Sequence, residues 1–147
     1  MNGTTDALRR TIFAVFLSLT ATSAIADQVI DKKAQQLAEK YLLTDTHIDV
    51  PYRLHNGWVD VTKATSDGDF DYPRAVKGGL NLPFMSIYTP AEMEQEGGSY
   101  ELANQLIDAV EAMAARAPDR FMLVHSTKDV EKVMSSGRIG LAMGMEN

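Results

Sequence analysis

The chain has 147 residues, 45% of them apolar and 23% charged, with ten glycines, five prolines and no cysteine. That is an ordinary globular composition, and it excludes a disordered tail, a fibre or a disulfide scaffold. A formal net charge of -6 disfavours nucleic acid as a partner.

At the start, Arg9 and Arg10 precede an uncharged apolar run from Ile12 to Leu19, followed by small residues and Ala24-Ile25-Ala26. This order is that of a secretory signal peptide, residues 1–26, cleaved after Ala26. A membrane anchor is the alternative, but the 16 uncharged residues from Thr11 to Ala26 fall short of the roughly 20 mostly apolar ones a spanning helix needs. Cleavage removes Arg9, Arg10 and Asp6 and moves the formal charge from -6 to -7. With no cysteine for a lipid anchor, the expected product is soluble and exported, periplasmic or secreted.

From Val29 to Tyr41 the apolar positions Ala34, Leu37, Ala38 and Tyr41 follow the spacing of a helix with one buried face. Leu42 to Val50 opens apolar and closes polar, which predicts a strand whose end carries chemistry. Arg53 to Lys77 is rich in Asp, Gly, Thr and Ser, turns at Ser66-Asp67-Gly68-Asp69, and predicts a long surface connection. Leu80 to Tyr88, between Gly78-Gly79 and Pro90, predicts a buried strand, although Pro83 argues against a regular centre.

Ser99 is placed to cap a helix over Tyr100 to Ala117, with Leu102, Leu106, Val110 and Met113 in one stripe and Pro118 after its end. Phe121 to Val124 is a short strand. Ser126-Thr127-Lys128-Asp129 resembles a capping box for a helix bearing Val130, Val133 and Met134 and ending at Gly137, and Ile139 to Met145 is a further strand. The alternation of helices and strands predicts an α/β fold with parallel strands and helical crossovers.

His47 and Asp49 are two apart at the polar end of a predicted strand, where alternation aims both side chains the same way. Imidazole nitrogen and carboxylate oxygen suit a divalent metal such as zinc. The bare pattern serves equally for an aspartate bonded to a loop amide beside an ordinary histidine. Glu146 follows the apolar run Ile139 to Met145, at the strand end where α/β sheets place their sites, or is a capping carboxylate. Tyr52 and Trp58 are candidates to line a pocket beside the metal, or simply pack. His55 and His125 read as bland, and Gly78-Gly79 as a turn without phosphate-binding spacing.

The segment Asp45-Thr46-His47-Ile48-Asp49-Val50-Pro51-Tyr52 resembles the first-strand motif of the membrane (renal) dipeptidase family, Asp-x-His-x-Asp-hydrophobic-Pro-aromatic. Two further stretches resemble the same family in the same order. They are Pro73 to Leu80 leading into Phe84-Met85-Ser86-Ile87-Tyr88, and Gly140 to Glu146.

The resemblance implies a metal-dependent (β/α)8 barrel of TIM type holding two zinc ions and hydrolysing dipeptides, often with a D-residue at the C-terminal position. By position, His47 and Asp49 would bind one zinc, Glu146 would bridge both, and Tyr52 would lie near the substrate. Two such metals about 3.5–4 Å apart acidify a shared water and polarise the scissile carbonyl. Two histidine ligands, a proton-shuttling aspartate and a substrate-polarising histidine of the family come on later strands. A homodimer is expected of the full-length enzyme.

A barrel of this kind takes about 250 residues. The 121 residues after Ala26 are therefore expected to be its N-terminal portion, incomplete and inactive alone, within a longer reading frame. Two other readings compete. One is a small exported α/β protein that binds a metal or ligand without catalysis; the other is a different metal-dependent amidohydrolase or a phosphoesterase, although those more often begin with His-x-His.

Overall fold

The structure, a computed structural model, describes residues 29–146, so the signal-peptide reading of residues 1–26 lies outside it. The chain divides after Leu37, and the sheet belongs to the unit that starts at Ala38. A helix occupies residues 29–40 (α1), as its period predicts. Its expected buried face is not buried: Ala34 is exposed, Leu37 and Tyr41 are 44% and 54% exposed, and Ala38 is half-buried. A 3.6-residue period gives a helix an apolar stripe but does not say what covers it.

Four strands, β1 (Thr44–Ile48), β2 (Leu82–Tyr88), β3 (Phe121–Leu123) and β4 (Ile139–Glu146), form a parallel sheet in the order β1-β2-β4-β3. Parallel neighbours need crossovers, and helices supply them. Helices α2 (Val50–Asn56) and α3 (Tyr72–Gly78) lie between β1 and β2. Helices α4 (Met93–Glu96) and α5 (Ser99–Arg116) lie between β2 and β3, and α6 (Thr127–Ser136) between β3 and β4.

Leu102, Leu106, Val110 and Met113 of α5 are buried as predicted, in one core with Met85 and Ile87 of β2, Phe121 of β3 and Ile139 and Leu141 of β4. Full burial of a side chain such as Leu106 or Ile87 stabilises by about 1.5–3 kcal/mol, and several such residues fix α5 on the sheet. At Gly140 an added Cβ would lie 2.5 Å from Val133 and 2.8 Å from Val124. Only glycine admits α6 this close to β4.

Several expectations are corrected. The strand expected to run to Val50 ends at Ile48, because Val50 and Pro51 open α2 with Asp49 as its N-cap. The expected surface connection from Arg53 to Lys77 contains the end of α2 and nearly all of α3, and Val61, Thr62, Phe70 and Asp71 within it are buried. Seven-residue helices span two turns, too short for a period to declare itself.

Ser99 is the first residue of α5 and not its cap; Gly98, at φ 91°, holds that place. Pro83 lies inside β2, opposite Asp45 of β1, but just outside the β2–β4 register pairs, which begin at Phe84↔Ala142. At Ser126 the box is one-sided: Asp129 accepts from the His125 amide and the Ser126 hydroxyl, while the Ser126 side chain caps no backbone N–H.

Asp71, 1% exposed, organises the segment before α3. Its carboxylate accepts from the Thr65 amide at 2.9 Å, the Arg74 amide at 2.9 Å and the Arg74 Nε at 2.8 Å. Arg74 also reaches the Gly68 carbonyl through Nη1. The Thr65 amide foremost, with the Arg74 amide and guanidinium, holds the Asp71 carboxyl down at about 2 despite its burial.

Candidate metal centre

Three parallel strands, β1, β2 and β4, end side by side, and their C-terminal ends carry the polar residues. The β2–β4 register runs to Tyr88↔Glu146, and the Thr89 amide continues the ladder onto the Glu146 carbonyl at 3.2 Å. β1 is tied to β2 at Ile48↔Met85. Side chains leaving these ends meet over the sheet edge, where open α/β sheets bind ligands.

His47 stands at the centre. Its Nε2 lies 3.3 Å from Asp49 Oδ1 and its Nδ1 3.2 Å from Glu146 Oε2. One ligand atom from each of the three residues lies within 4.8 Å of the other two. The side chains of His47 and Asp49 are 52% and 60% exposed and that of Glu146 35%, so the cup opens to solvent. Tyr52 and Tyr88 line it as well, ring edge to ring face with centroids 5.2 Å apart.

The route by which His47 and Asp49 meet differs from the expected one. They are not two same-side residues of a regular strand. β1 carries an irregularity between Asp45 and Ile48, and Asp49 has left the strand for the N-cap of α2. At that cap its carboxylate makes no hydrogen bond to the helix and faces His47 instead.

The chemistry of the donor set fits a cation. A neutral imidazole has a single N–H for the two carboxylates before it, so added positive charge, either a second ring proton or a cation bound at one nitrogen, reconciles the two contacts. Ligands about 2.1 Å from a tetrahedral zinc are about 3.4 Å apart, close to the 3.3 Å between His47 Nε2 and Asp49 Oδ1; the Glu146 carboxylate lies on the other ring nitrogen, so its contact is not an edge of that same set. One imidazole nitrogen and two carboxylates suit zinc or a similar divalent ion.

The other candidates fall elsewhere. Trp58 lies away from the cup, beneath the Arg116 guanidinium at 5.1 Å, in a groove with Leu54, Val59 and Met113. His55 stacks on Tyr52 at 6.4 Å, and the His125 amide serves Asp129. Tyr88 is the site residue missed in the sequence; it closes an apolar strand as Glu146 closes its own, and the same strand-end rule would have found it.

A family model described as membrane dipeptidase (peptidase family M19) matches residues 31–147. The chain is 30% identical over 126 residues to "Dipeptidase ataJ" of Aspergillus terreus, covering 78% of this chain and 31% of that protein. Among solved structures it is similar to a dipeptidase AC described as a family M19 metallo peptidase, with 25% identity and a TM-score of 0.62 over 72% of this chain and 35% of that one. It shares its fold with a metallo peptidase from Rhodobacter sphaeroides liganded with a phosphinate mimic of the dipeptide L-Ala-D-Ala (TM-score 0.61, 20% identity, 72% of this chain and 38% of that one). It also shares it with the probable dipeptidase PvdM from Pseudomonas aeruginosa (TM-score 0.63, 16% identity, 80% and 31%). The chain thus spans about a third of the length of the relatives it matches.

Proposed function

The chain belongs to the membrane dipeptidase family, peptidase family M19, and we propose that it forms the first part of a zinc-dependent dipeptidase and supplies three of its metal ligands. His47 and Asp49 would hold one zinc and Glu146 would bridge to a second. The observation that carries this is the convergence of His47, Asp49 and Glu146 within 4.8 Å at the ends of parallel strands, with the Asp49 carboxylate unused by its own helix. When bound, the metals supply an acidified water and a polarised carbonyl.

The chain's own residues do the rest of what is visible. Glu146, on the ladder to β2, keeps its carboxylate beside His47, and Asp49 meets the opposite ring nitrogen. Tyr52 and Tyr88 form an aromatic wall beside the ligands, against which a dipeptide packs. The mimic of L-Ala-D-Ala in the Rhodobacter sphaeroides relative supports a dipeptide with a C-terminal D-residue as substrate.

In this reading the sheet is the start of a (β/α)8 barrel. β3 pairs only with Ile139–Leu141 of β4, which leaves Ala142–Glu146 without a strand on that side among the described residues, where a further stave would pair. The family resemblance implies ligands beyond these three, so in this reading residues 29–146 bind metal and further residues are needed to hydrolyse dipeptides. A homodimer and export, the latter from the pattern of residues 1–26, complete the proposal. Among the described residues no helix is long and apolar enough to cross a membrane.

Zinc titration and hydrolysis of L-Ala-D-Ala test it. The chain should bind zinc and lose it on His47→Ala, while the product of a reading frame continued past Asn147 should bind about two ions and cleave the dipeptide. Zinc binding unchanged by His47→Ala, or no cleavage by the longer product, would refute the assignment.

A further inference from the structure

We infer that Asp45 is a positioning residue of the metal centre: its carboxylate clasps a bulge in β1 and thereby sets where His47 presents its ring. The inference rests on the ligand assignment above and is tested separately from it.

The starting point is the register. Asp45 pairs with Pro83 and Ile48 with Met85, so β1 advances three residues while β2 advances two. Thr46 and His47 have no partner in that register, and one of them is the extra residue of a β-bulge. In an unbroken strand residues 45, 47 and 49 would share one face. A bulge breaks the alternation, bends the strand and re-aims the side chains beside it.

A bulge also takes backbone groups out of the ladder, and each must be accounted for. The His47 amide donates to Asp45 Oδ1 at 3.0 Å. This is the local bond from an aspartate to the amide two residues on that stabilises a turn. Asp45 is not one of the three residues whose ligand atoms converge; this carboxylate oxygen is turned onto the main chain, whereas those of Asp49 and Glu146 face the imidazole.

The position matters because β1 has few other restraints. Residues Thr44 to His47 are exposed, and among the described residues β1 is paired on one side only. Its start is fixed by the Leu43 amide on Asn81 Oδ1 at 2.8 Å and by the Thr44 hydroxyl on the Leu82 carbonyl at 2.5 Å. Its far end is fixed by Ile48↔Met85. Between those anchors, the Asp45 bond restrains the backbone of the ligand residue, and metal ligands must be held within about 0.5 Å.

The test compares the chain with Asp45→Ala and Asp45→Asn, of which only the second keeps an oxygen acceptor at Oδ1. Two quantities are read: hydrogen exchange of the His47 amide without metal, and zinc affinity. Asp45→Ala should speed that exchange and weaken zinc about 10–100-fold, the usual effect of losing a partner that orients a ligand. Asp45→Asn should restore both.

Equal loss of zinc in both variants with His47 exchange unchanged would mean that Asp45 acts through its charge, and the clasp would be overturned. It would also be overturned if neither variant changed anything. Failure of the unsubstituted chain to bind zinc, with the exchange pattern as expected, would sink the ligand assignment and leave the clasp standing. Because Asp45 is exposed, its truncation opens no void in the core, and circular dichroism should be unchanged.

Discussion

Helices α2 and α3 begin alike and use their first aspartate in opposite ways. Each has seven residues, an aspartate at the N-cap and a proline in its second position: Asp49-Val50-Pro51 and Asp71-Tyr72-Pro73. Asp71 is extended (φ -151°, ψ 162°) and its carboxylate accepts from the Arg74 amide, an ordinary cap. Asp49 (φ -83°, ψ 28°) makes no such bond and faces His47 instead. A side-chain cap contributes about 1 kcal/mol, and α2 does without it. The difference teaches that an aspartate's role is set by the donors around it. Thr65 and Arg74 saturate Asp71, while Asp49 keeps acceptor capacity for a cation.

The comparison can be broken first at the saturated carboxylate. Asp71→Ala should give the largest fall in melting temperature of any single change at the four helix ends, because it strands the Thr65 and Arg74 donors and unpins the segment before α3. A thermal melt monitored by circular dichroism measures this. A drop no greater than that of an exposed surface substitution would show that the knot is ornamental.

Acid sharpens the same contrast. The Asp71 carboxyl is lowered from its ordinary 3.8 to about 2, by the Thr65 amide first and then by Arg74. A depressed carboxylate contributes stability that is complete above its unfolded value and lost as pH falls through the folded one. The stability in urea should therefore decline between about pH 4 and pH 2. Asp71→Asn should make that decline shallower without removing it, since Asp129 is also held well below the usual range, chiefly by Lys132. An unchanged slope in Asp71→Asn would contradict the account.

The C-terminal ends differ as the starts do. Gly79, which ends α3, has φ 76°, and an added Cβ would lie 2.5 Å from that of Ala38. Gly57, which ends α2, is extended at φ -166° with open space around it. Gly79→Ala should cost about 1–2 kcal/mol from the left-handed backbone alone. Gly57→Ala should change stability by less than about 0.5 kcal/mol. Chemical denaturation of the two variants compares them directly, and equal costs would mean that the two ends are not the distinct structures described.

What could be seen in the sequence divides along physical lines. The long stripe of α5 and the apolar runs ending at Tyr88 and Glu146 were legible, because burial over many residues leaves a period or a block. His47 and Glu146 were legible as donors at strand ends, and the structure brings them together with Asp49. Helices α2 and α3 were not, because two turns are too short for a period and their Asp-x-Pro starts look like loop. The bulge at Thr46–His47 and the knot around Asp71 were hidden for another reason. They depend on which donors fold back onto one carboxylate, and a pattern of residue types does not encode that.

The central claim is that Asp49 is withheld from its helix in order to bind a cation, and Asp49→Ser tests it most directly. Serine is as good a helix cap as aspartate but a poor ligand for zinc. The measurement is zinc titration of Asp49→Ser beside the unsubstituted chain, with a melt of each without metal. The account predicts a loss of zinc affinity greater than about 100-fold with a melting temperature equal to or slightly above that of the original chain. Undiminished zinc binding, or a melting temperature that falls as it does in Asp71→Ala, would show that Asp49 serves the fold and not the metal.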